Sequence, residues 1–230
     1  MKISQAIFVT AVLTAVIIAA GAKHLSSASA QTAQSNLGTE SALLKDFSEI
    51  QPIDTHVHIY KDDPGITALI EQLNLRAVNI CVIDDRDPDY RGIEPQRSEV
   101  LKVRQNTGGR AAFATTFDPY GFEEPGFSTR TIRQLNQDFA QGAVAVKIYK
   151  VMGMEMKNKA GKWVLPDDPS FEPVYRDIAA HNRTLIAHLA EPDSCSQAPN
   201  PASPDAAYYE RHPDEYAYLH PEWPSKQSIL

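Results

Sequence analysis

Residues 52–59 have the sequence PIDTHVHI, and this alternation of apolar and polar residues predicts a β-strand. Side chains two residues apart in a strand point to the same face, so Asp54, His56 and His58 share one face. The opposite face carries Ile53, Thr55 and Val57. One strand therefore combines a mostly apolar face with a face of ionisable groups.

Apolar, β-prone segments recur after this strand, and segments with helical periodicity separate them. The predicted strands are 52–59, 76–83, 111–117, 143–149 and 184–189. The predicted helices are 64–73, 94–105, 128–141 and 169–182. We expect Ser128 to start the third helix, Gly142 to follow it, and Asp168-Pro169 to start the fourth. This alternation predicts an α/β fold built from successive βα units around a parallel sheet.

The fourth and fifth predicted strands repeat the division into two faces. In the fourth strand, one face carries Val144, Val146 and Ile148, and the other carries Ala143, Ala145, Lys147 and Tyr149. In the fifth strand, one face carries Leu185, Ala187 and Leu189, and the other carries Ile186 and His188. A barrel needs this pattern, because aliphatic residues face the surrounding helices and functional groups face the interior at the carboxyl ends of the strands. The sequence therefore predicts a barrel-like sheet with its site at those ends.

Three histidines are candidate metal ligands. His56 and His58 lie on one strand face, where both rings can turn a nitrogen to the same cation, and His188 ends a later strand. A histidine-x-histidine pair also occurs by chance, and a lone His188 could be a core residue with its hydrogen bonds satisfied. The position of all three at strand ends favours a metal site.

Lys147 also faces the predicted interior, where a lysine must be paired, modified or functional. Its amine, carboxylated or not, could bridge metals or hold a substrate anion; alternatively it reaches solvent or pairs with a carboxylate. We expect Lys150 to lie on the loop surface. Asp54 could accept a hydrogen bond from a ligand imidazole or could bond to the backbone instead.

The first thirty residues are expected to lie outside the fold. Lys2, the uncharged segment 6–20 and the small residues at 28–30 follow the order of a secretory signal peptide, which predicts export to the periplasm or outside the cell. An uncleaved signal would instead anchor the chain in a membrane. Residues 31–50 are predicted to form a linker with one helical turn near 42–47.

Residues 191–230 hold seven of the sixteen prolines and no predicted strand. We expect a long lid-like loop, preceded by a hairpin around 158–161. The aromatic residues of this loop could stack on a substrate, but they serve packing at least as often.

Composition limits the functional class. The 230 residues are 43% hydrophobic and 22% charged with a net charge of -7, so the chain is globular and nucleic acid is not an expected partner. Cys81 lies in an apolar segment and Cys195 in a proline-rich loop. Two unreactive thiols are expected, with a disulfide as the alternative.

Several separated motifs resemble the amidohydrolase superfamily, specifically its amidohydrolase-related, metal-dependent hydrolase branch. They are IDTHVH at 53–58, AVAVKIYK at 143–150, the loop 153–173, LIAHLAEP at 185–192 and HPDEYAYLHPEWPS at 212–225. The resemblance implies a distorted (β/α)8 barrel of TIM type in which His56, His58 and His188 bind one or two divalent metals, with zinc expected. It places Lys147 where members with two metals have a bridging carboxylated lysine.

The resemblance also implies a histidine after strand six and an aspartate general base after strand eight, which this sequence does not contain. We therefore expect about five of eight βα units and an incomplete copy of the enzyme. Three functions remain open: hydrolysis of a C–N or C–O bond in a small molecule, decarboxylation of a small aromatic or enol acid, and a non-catalytic half-barrel. That half-barrel would need another copy or a complementing chain, because two sheet edges are open.

Overall fold

The computed structural model of the chain describes residues 42–85 and 90–230. The predicted signal segment and residues 31–41 of the predicted linker lie outside these ranges. The chain divides after Pro52 into two units, the second of which is Ile53–Leu230. In the first, a helix covers 42–49 (α1), where Lys45 and Glu49 form an exposed ion pair one turn apart. Among the described helices, none has the length and apolarity needed to cross a membrane.

The second unit is an α/β fold around a curled, five-stranded parallel sheet. The strands are β1 (Ile53–Val57), β2 (Arg76–Ile80), β3 (Ala111–Thr116), β4 (Ala143–Ile148) and β5 (Thr184–Ala187). Their order in the sheet is their order in the chain, and every neighbouring pair is parallel. The five predicted strands are confirmed, although each ends earlier than predicted.

Helices separate the strands as predicted. They are α2 (Pro64–Gln72), α3 (Ile93–Asn106), α4 (Phe127–Ala140), the short, kinked α5 (Val151–Met154) and α6 (Glu172–Ala180). The expected start of α4 at Ser128 is wrong, because Gly126 in the left-handed conformation precedes Phe127 and opens the helix earlier. Gly142 follows the end of α4 with a φ of 99°, which favours glycine at this position. Asp168 accepts a hydrogen bond from the Ser170 backbone N–H and starts the 3₁₀ turn that leads into α6.

The hydrophobic core lies mainly between the sheet and its helices. Phe113 from β3, Val146 from β4, Leu135 from α4 and Phe171 before α6 are fully buried there. A smaller cluster covers the other face of the sheet, where Ile80, Ala114 and Ala145 pack with Ile186. The helix side therefore carries most of the packing, and the smaller cluster on the other face mixes isoleucine with alanine side chains.

The terminal segment, 191–230, contains short helices where a loop was expected. These are α7 (Ala206–Arg211), α8 (Lys226–Ile229) and three 3₁₀ turns, and the segment holds no strand. The expected hairpin is confirmed, because Lys157 and Trp163 form an antiparallel bridge around the Asn158–Gly161 turn. Cys81 and Cys195 are free thiols, buried in separate clusters.

Candidate functional site

The two histidines of β1 lie side by side at its carboxyl end. The pairing of β1 with β2 shifts register between Asp54 and Val57, so the strand is irregular where His56 projects. The Nε2 atoms of His56 and His58 are 3.2 Å apart. Two nitrogens bound to one tetrahedral zinc ion are about 3.4 Å apart, so the pair already has the spacing of a chelating site.

Strand β2 fixes the orientation of this pair. The Nδ1 atom of His58 lies 2.9 Å from the carbonyl oxygen of Ile80, so Nδ1–H donates to that oxygen and the unprotonated Nε2 accepts a hydrogen bond from Nε2–H of His56. The buried side chain of Asn79 accepts from the backbone N–H of Ile59 and donates to the Ile59 carbonyl. These two hydrogen bonds fix the backbone of Ile59, the residue directly after His58.

A cavity of about 380 Å³ brings three of the predicted site residues together. His56 from β1, Lys147 from β4 and His188 after β5 all line it, with Lys226 and Leu230 at the terminal segment. Lys147 is 2% exposed, and no carboxylate of the described residues pairs with its amine. Residues from strands that are distant in the sequence therefore line one cavity at the carboxyl ends of the strands.

Burial sets the protonation of these groups. It is the main cause that lowers the pKa values of His56 and His188, with the charge of Lys147 acting in the same direction. Asp54 opposes this shift at His56, and Glu191 opposes it at His188. Burial alone lowers the pKa of Lys147. Both imidazoles are thus disposed to be neutral, which is the form that binds a metal ion.

Asp54 bonds to the backbone of the strand. Its Oδ1 accepts from the backbone N–H of His56 at 2.9 Å, which is the second of the two roles considered for it. The carboxylate thereby stabilises the irregular part of β1 that carries His56. Its influence on the imidazole is electrostatic.

The expected surface position of Lys150 is wrong. Its side chain is 10% exposed, because the amine donates to Glu191 at 2.5 Å and lies 3.5 Å from Glu215 of the terminal segment. Glu191 Oε1 is also 3.9 Å from His188 Nε2, and Tyr208 donates its hydroxyl to Glu215. Lys150 therefore connects the ends of β4 and β5 with the terminal segment beside His188.

The residues present fit a metal ion in part. The Nε2 atoms of His56 and His58 have ligand spacing, and the tautomer of His58 is defined, whereas His188 lines a cavity with His56 alone of the two. Within 42–85 and 90–230, no group of three His, Cys, Asp or Glu side chains is close enough to hold a metal. The structure thus places two of the candidate ligands together and lines a cavity with the third.

The sequence analysis missed Asn79 and the partnership of Lys150 with Glu191. An asparagine inside the apolar strand 76–83 is a signal that could have identified the first, since a buried amide needs hydrogen-bond partners. The second has no local signal, because the two residues are far apart in the sequence.

Comparisons with protein-family models, curated proteins and solved structures find no match to this chain.

Proposed function

We propose that this chain belongs to a metal-dependent hydrolase of the amidohydrolase type, which acts on a C–N or C–O bond of a small molecule. The observation that carries the proposal is the 3.2 Å spacing of the His56 and His58 Nε2 atoms at the end of β1. The curled parallel sheet with helices between its strands supports the corresponding architecture, an incomplete (β/α)8 barrel of TIM type. In that fold, active sites lie at the carboxyl ends of the strands.

Each site residue has a distinct role in this proposal. His56, His58 and His188 would hold a divalent metal ion, zinc by preference, through their imidazole nitrogens. A metal held there would supply an activated water and polarise the substrate carbonyl. Lys147 would either bind metal as its carbamate or hold a substrate anion as an ammonium group.

The charge of the cavity favours decarboxylation as the second candidate function. Lys147 lines it with a buried amine that pairs with no carboxylate of the described residues, whereas the amine of Lys226, which also lines it, is already bonded to Asp193 at 2.6 Å. Such a lining suits a small aromatic or enol acid, whose carboxylate would pair with the buried amine of Lys147. Candidate amides, esters and acids, tested with zinc-loaded protein, separate the two functions. Carbon dioxide release supports decarboxylation, and release of an amine or alcohol supports hydrolysis.

Zinc titration of the full chain tests the site itself. After chelator treatment, we expect the wild-type protein to bind about one zinc ion and to unfold at a higher temperature. Saturation at one hundred times the dissociation constant stabilises the fold by about 2.7 kcal/mol. His56→Ala and His58→Ala should each weaken binding by more than the ~10–100-fold that follows loss of a ligand's hydrogen-bond partner.

His181→Ala is the matched control, because this half-exposed histidine bonds to the Asp177 carbonyl on α6 and does not line the cavity. It should leave zinc binding unchanged. A folded wild-type protein that binds no zinc contradicts the proposal.

The open sheet supports an assembly proposal as well. Within the described residues, β1 and β5 have no strand on their outer sides, and both strands are largely exposed. Unpaired strand edges favour association, so the chain would pair with another copy or a complementing chain. Light scattering after size exclusion tests this. A monomer across the micromolar range contradicts self-association.

A further inference from the structure

The terminal segment forms a second, larger cavity, open to solvent on one side and lined mostly by exposed residues, that the proposed function does not use. Its volume is about 870 Å³, within the range of small-molecule pockets, and it is formed entirely by residues between Ser194 and Leu219. It shares no lining residue with the histidine cavity. It is therefore a separate candidate binding site.

The walls of this cavity are apolar and held in place. Four prolines and four alanines contribute to the lining, together with the rings of Tyr209 and Tyr216. These rings stack with centroids 4.8 Å apart and an angle of 13°. The Tyr216 hydroxyl donates to the carbonyl of Gln197, and the Cys195 thiol donates to the carbonyl of Glu215. Rigid walls reduce the entropy lost when a ligand binds.

The charges around the cavity select the ligand. Glu210 is the one charged side chain among the lining residues. Residues 193–222 contain six acidic side chains and one Lys or Arg, Arg211. Lys226 pairs with Asp193, and Lys150 lies 3.5 Å from Glu215, so the excess negative charge comes from the other four acidic residues. This negative potential favours a cation and disfavours an anion. Flat apolar walls with a stacked tyrosine pair favour an aromatic ring.

We infer that the cavity of residues 194–219 is a binding site for a small aromatic amine in its cationic form. The ring lies against the proline and tyrosine walls, and the ammonium group faces Glu210. The inference rests on the cavity alone and does not depend on the metal site.

Calorimetric titration of the full chain with three probes of one shape tests this inference. We expect 2-naphthylmethylamine to bind with a dissociation constant on the order of 10⁻⁵ to 10⁻⁴ M. The neutral 2-naphthalenemethanol should bind about 3- to 10-fold more weakly, and anionic 2-naphthoate should not bind at 1 mM, a concentration ~10-fold above that range.

Variants then locate the site. Ala206→Phe fills the cavity and should weaken amine binding at least tenfold, whereas Ala179→Phe on the exposed side of α6 should not. Glu210→Gln should reduce amine binding to the level of the alcohol, and Glu71→Gln, an exposed glutamate on α2, should change nothing. If Ala206→Phe does not fold, Ala202→Phe on the exposed loop replaces it.

Three outcomes would overturn the inference: no saturable amine binding at 1 mM, equal binding by the cavity-filled variant, or naphthoate binding as tightly as the amine. Loss of amine binding in His188→Ala, with retention in Ala206→Phe, would place the probe in the histidine cavity and would also overturn it. Zinc binding by the same variants is measured separately. If the protein binds no zinc, amine binding can still be tested, and the reverse also holds.

Discussion

The central strands β3 and β4 and the edge strands β1 and β5 belong to one sheet but differ in how deeply their side chains are buried. Nearly every residue of β3 and β4 is buried, whereas four of the five residues of β1 and three of the four in β5 are exposed. His56 and His58 lie on or beside β1, and His188 follows β5. Apart from Lys147 on β4, the candidate site residues thus lie on or beside the strands that contribute least to packing, so substitutions of the histidines can separate stability from ligand binding.

The largest expected difference is in stability. Phe113 on β3 is 1% exposed, and Phe113→Ala should lower the free energy of unfolding by about 3–5 kcal/mol. Leu185 on β5 is 39% exposed, and Leu185→Ala should lower it by less than about 1 kcal/mol. Urea unfolding of both variants measures the contrast. Equal losses of unfolding free energy would mean that Leu185 on the edge strand is packed as tightly as Phe113 in the centre.

Lys150 joins a central strand to the terminal segment, so its removal tests how far the two regions are coupled. Lys150→Met leaves Glu191 and Glu215 without their shared cation and should destabilise residues 193–219 locally by about 2 kcal/mol. Hydrogen exchange of that segment should accelerate while β3 stays protected. Lys159→Met, an exposed lysine in the hairpin, is the matched control. Unchanged exchange in Lys150→Met would show that the segment is held by other contacts.

The pH dependence of stability should be set partly by the buried core beside β2. Burial raises the pKa of the Cys81 thiol from 9.0 to about 12, with the charge of Asp138 acting in the same direction. The unfolded chain therefore loses this proton at a lower pH than the folded one, and stability falls as pH rises from 9 toward 12.

At pH 10 the expected loss from this thiol is about 1 kcal/mol relative to pH 7. Urea unfolding at both values, with Cys81→Ala as comparison, isolates the contribution. The alanine variant should lose about 1 kcal/mol less between the two pH values. Identical pH profiles would rule out the thiol as the cause.

The smallest effect on stability is expected at Asp54 on β1. Asp54→Ala removes the acceptor for the His56 backbone N–H and should destabilise the fold by less than about 1 kcal/mol, because the residue is exposed. Zinc affinity should nevertheless fall several-fold, since the irregular backbone that carries His56 loses a support. Asp54→Asn keeps an acceptor oxygen and should bind zinc more tightly than Asp54→Ala. A large loss of stability in either variant would contradict the division between edge and centre.

Much of the fold was predictable because its signals are local. Period-two patterns, together with Gly142 and Asp168-Pro169 at helix boundaries, located the five strands and the helices between them. The parity of β1 also predicted that His56 and His58 share a face, and their nitrogens are adjacent in the structure. Patterns among residues close in the sequence were sufficient to predict both the strands and helices and the adjacency of the two histidines.

The rest depends on contacts that no local pattern encodes. Lys150 follows a strand end, where side chains are usually exposed, and its burial goes with ion pairs to Glu191 and Glu215, both distant in the sequence. Ser128 is a favourable helix start, yet the left-handed Gly126 overrides it. The position of His188 relative to His56 depends on how strongly the sheet curls, and the sequence contains no measure of that curvature.

The strand order has a consequence for how the molecule is made. Each strand pairs with the strand synthesised just before it, so every new βα unit can dock on a template that has already left the ribosome. Pairing between consecutive strands keeps each loop closure shorter than pairing between distant strands would, so the sheet can be extended from the amino terminus one unit at a time. The cavity needs His56 from the first strand and His188 after the fifth, so it is completed only when the fifth strand docks. Ligand binding at this cavity would therefore report the last step of sheet assembly.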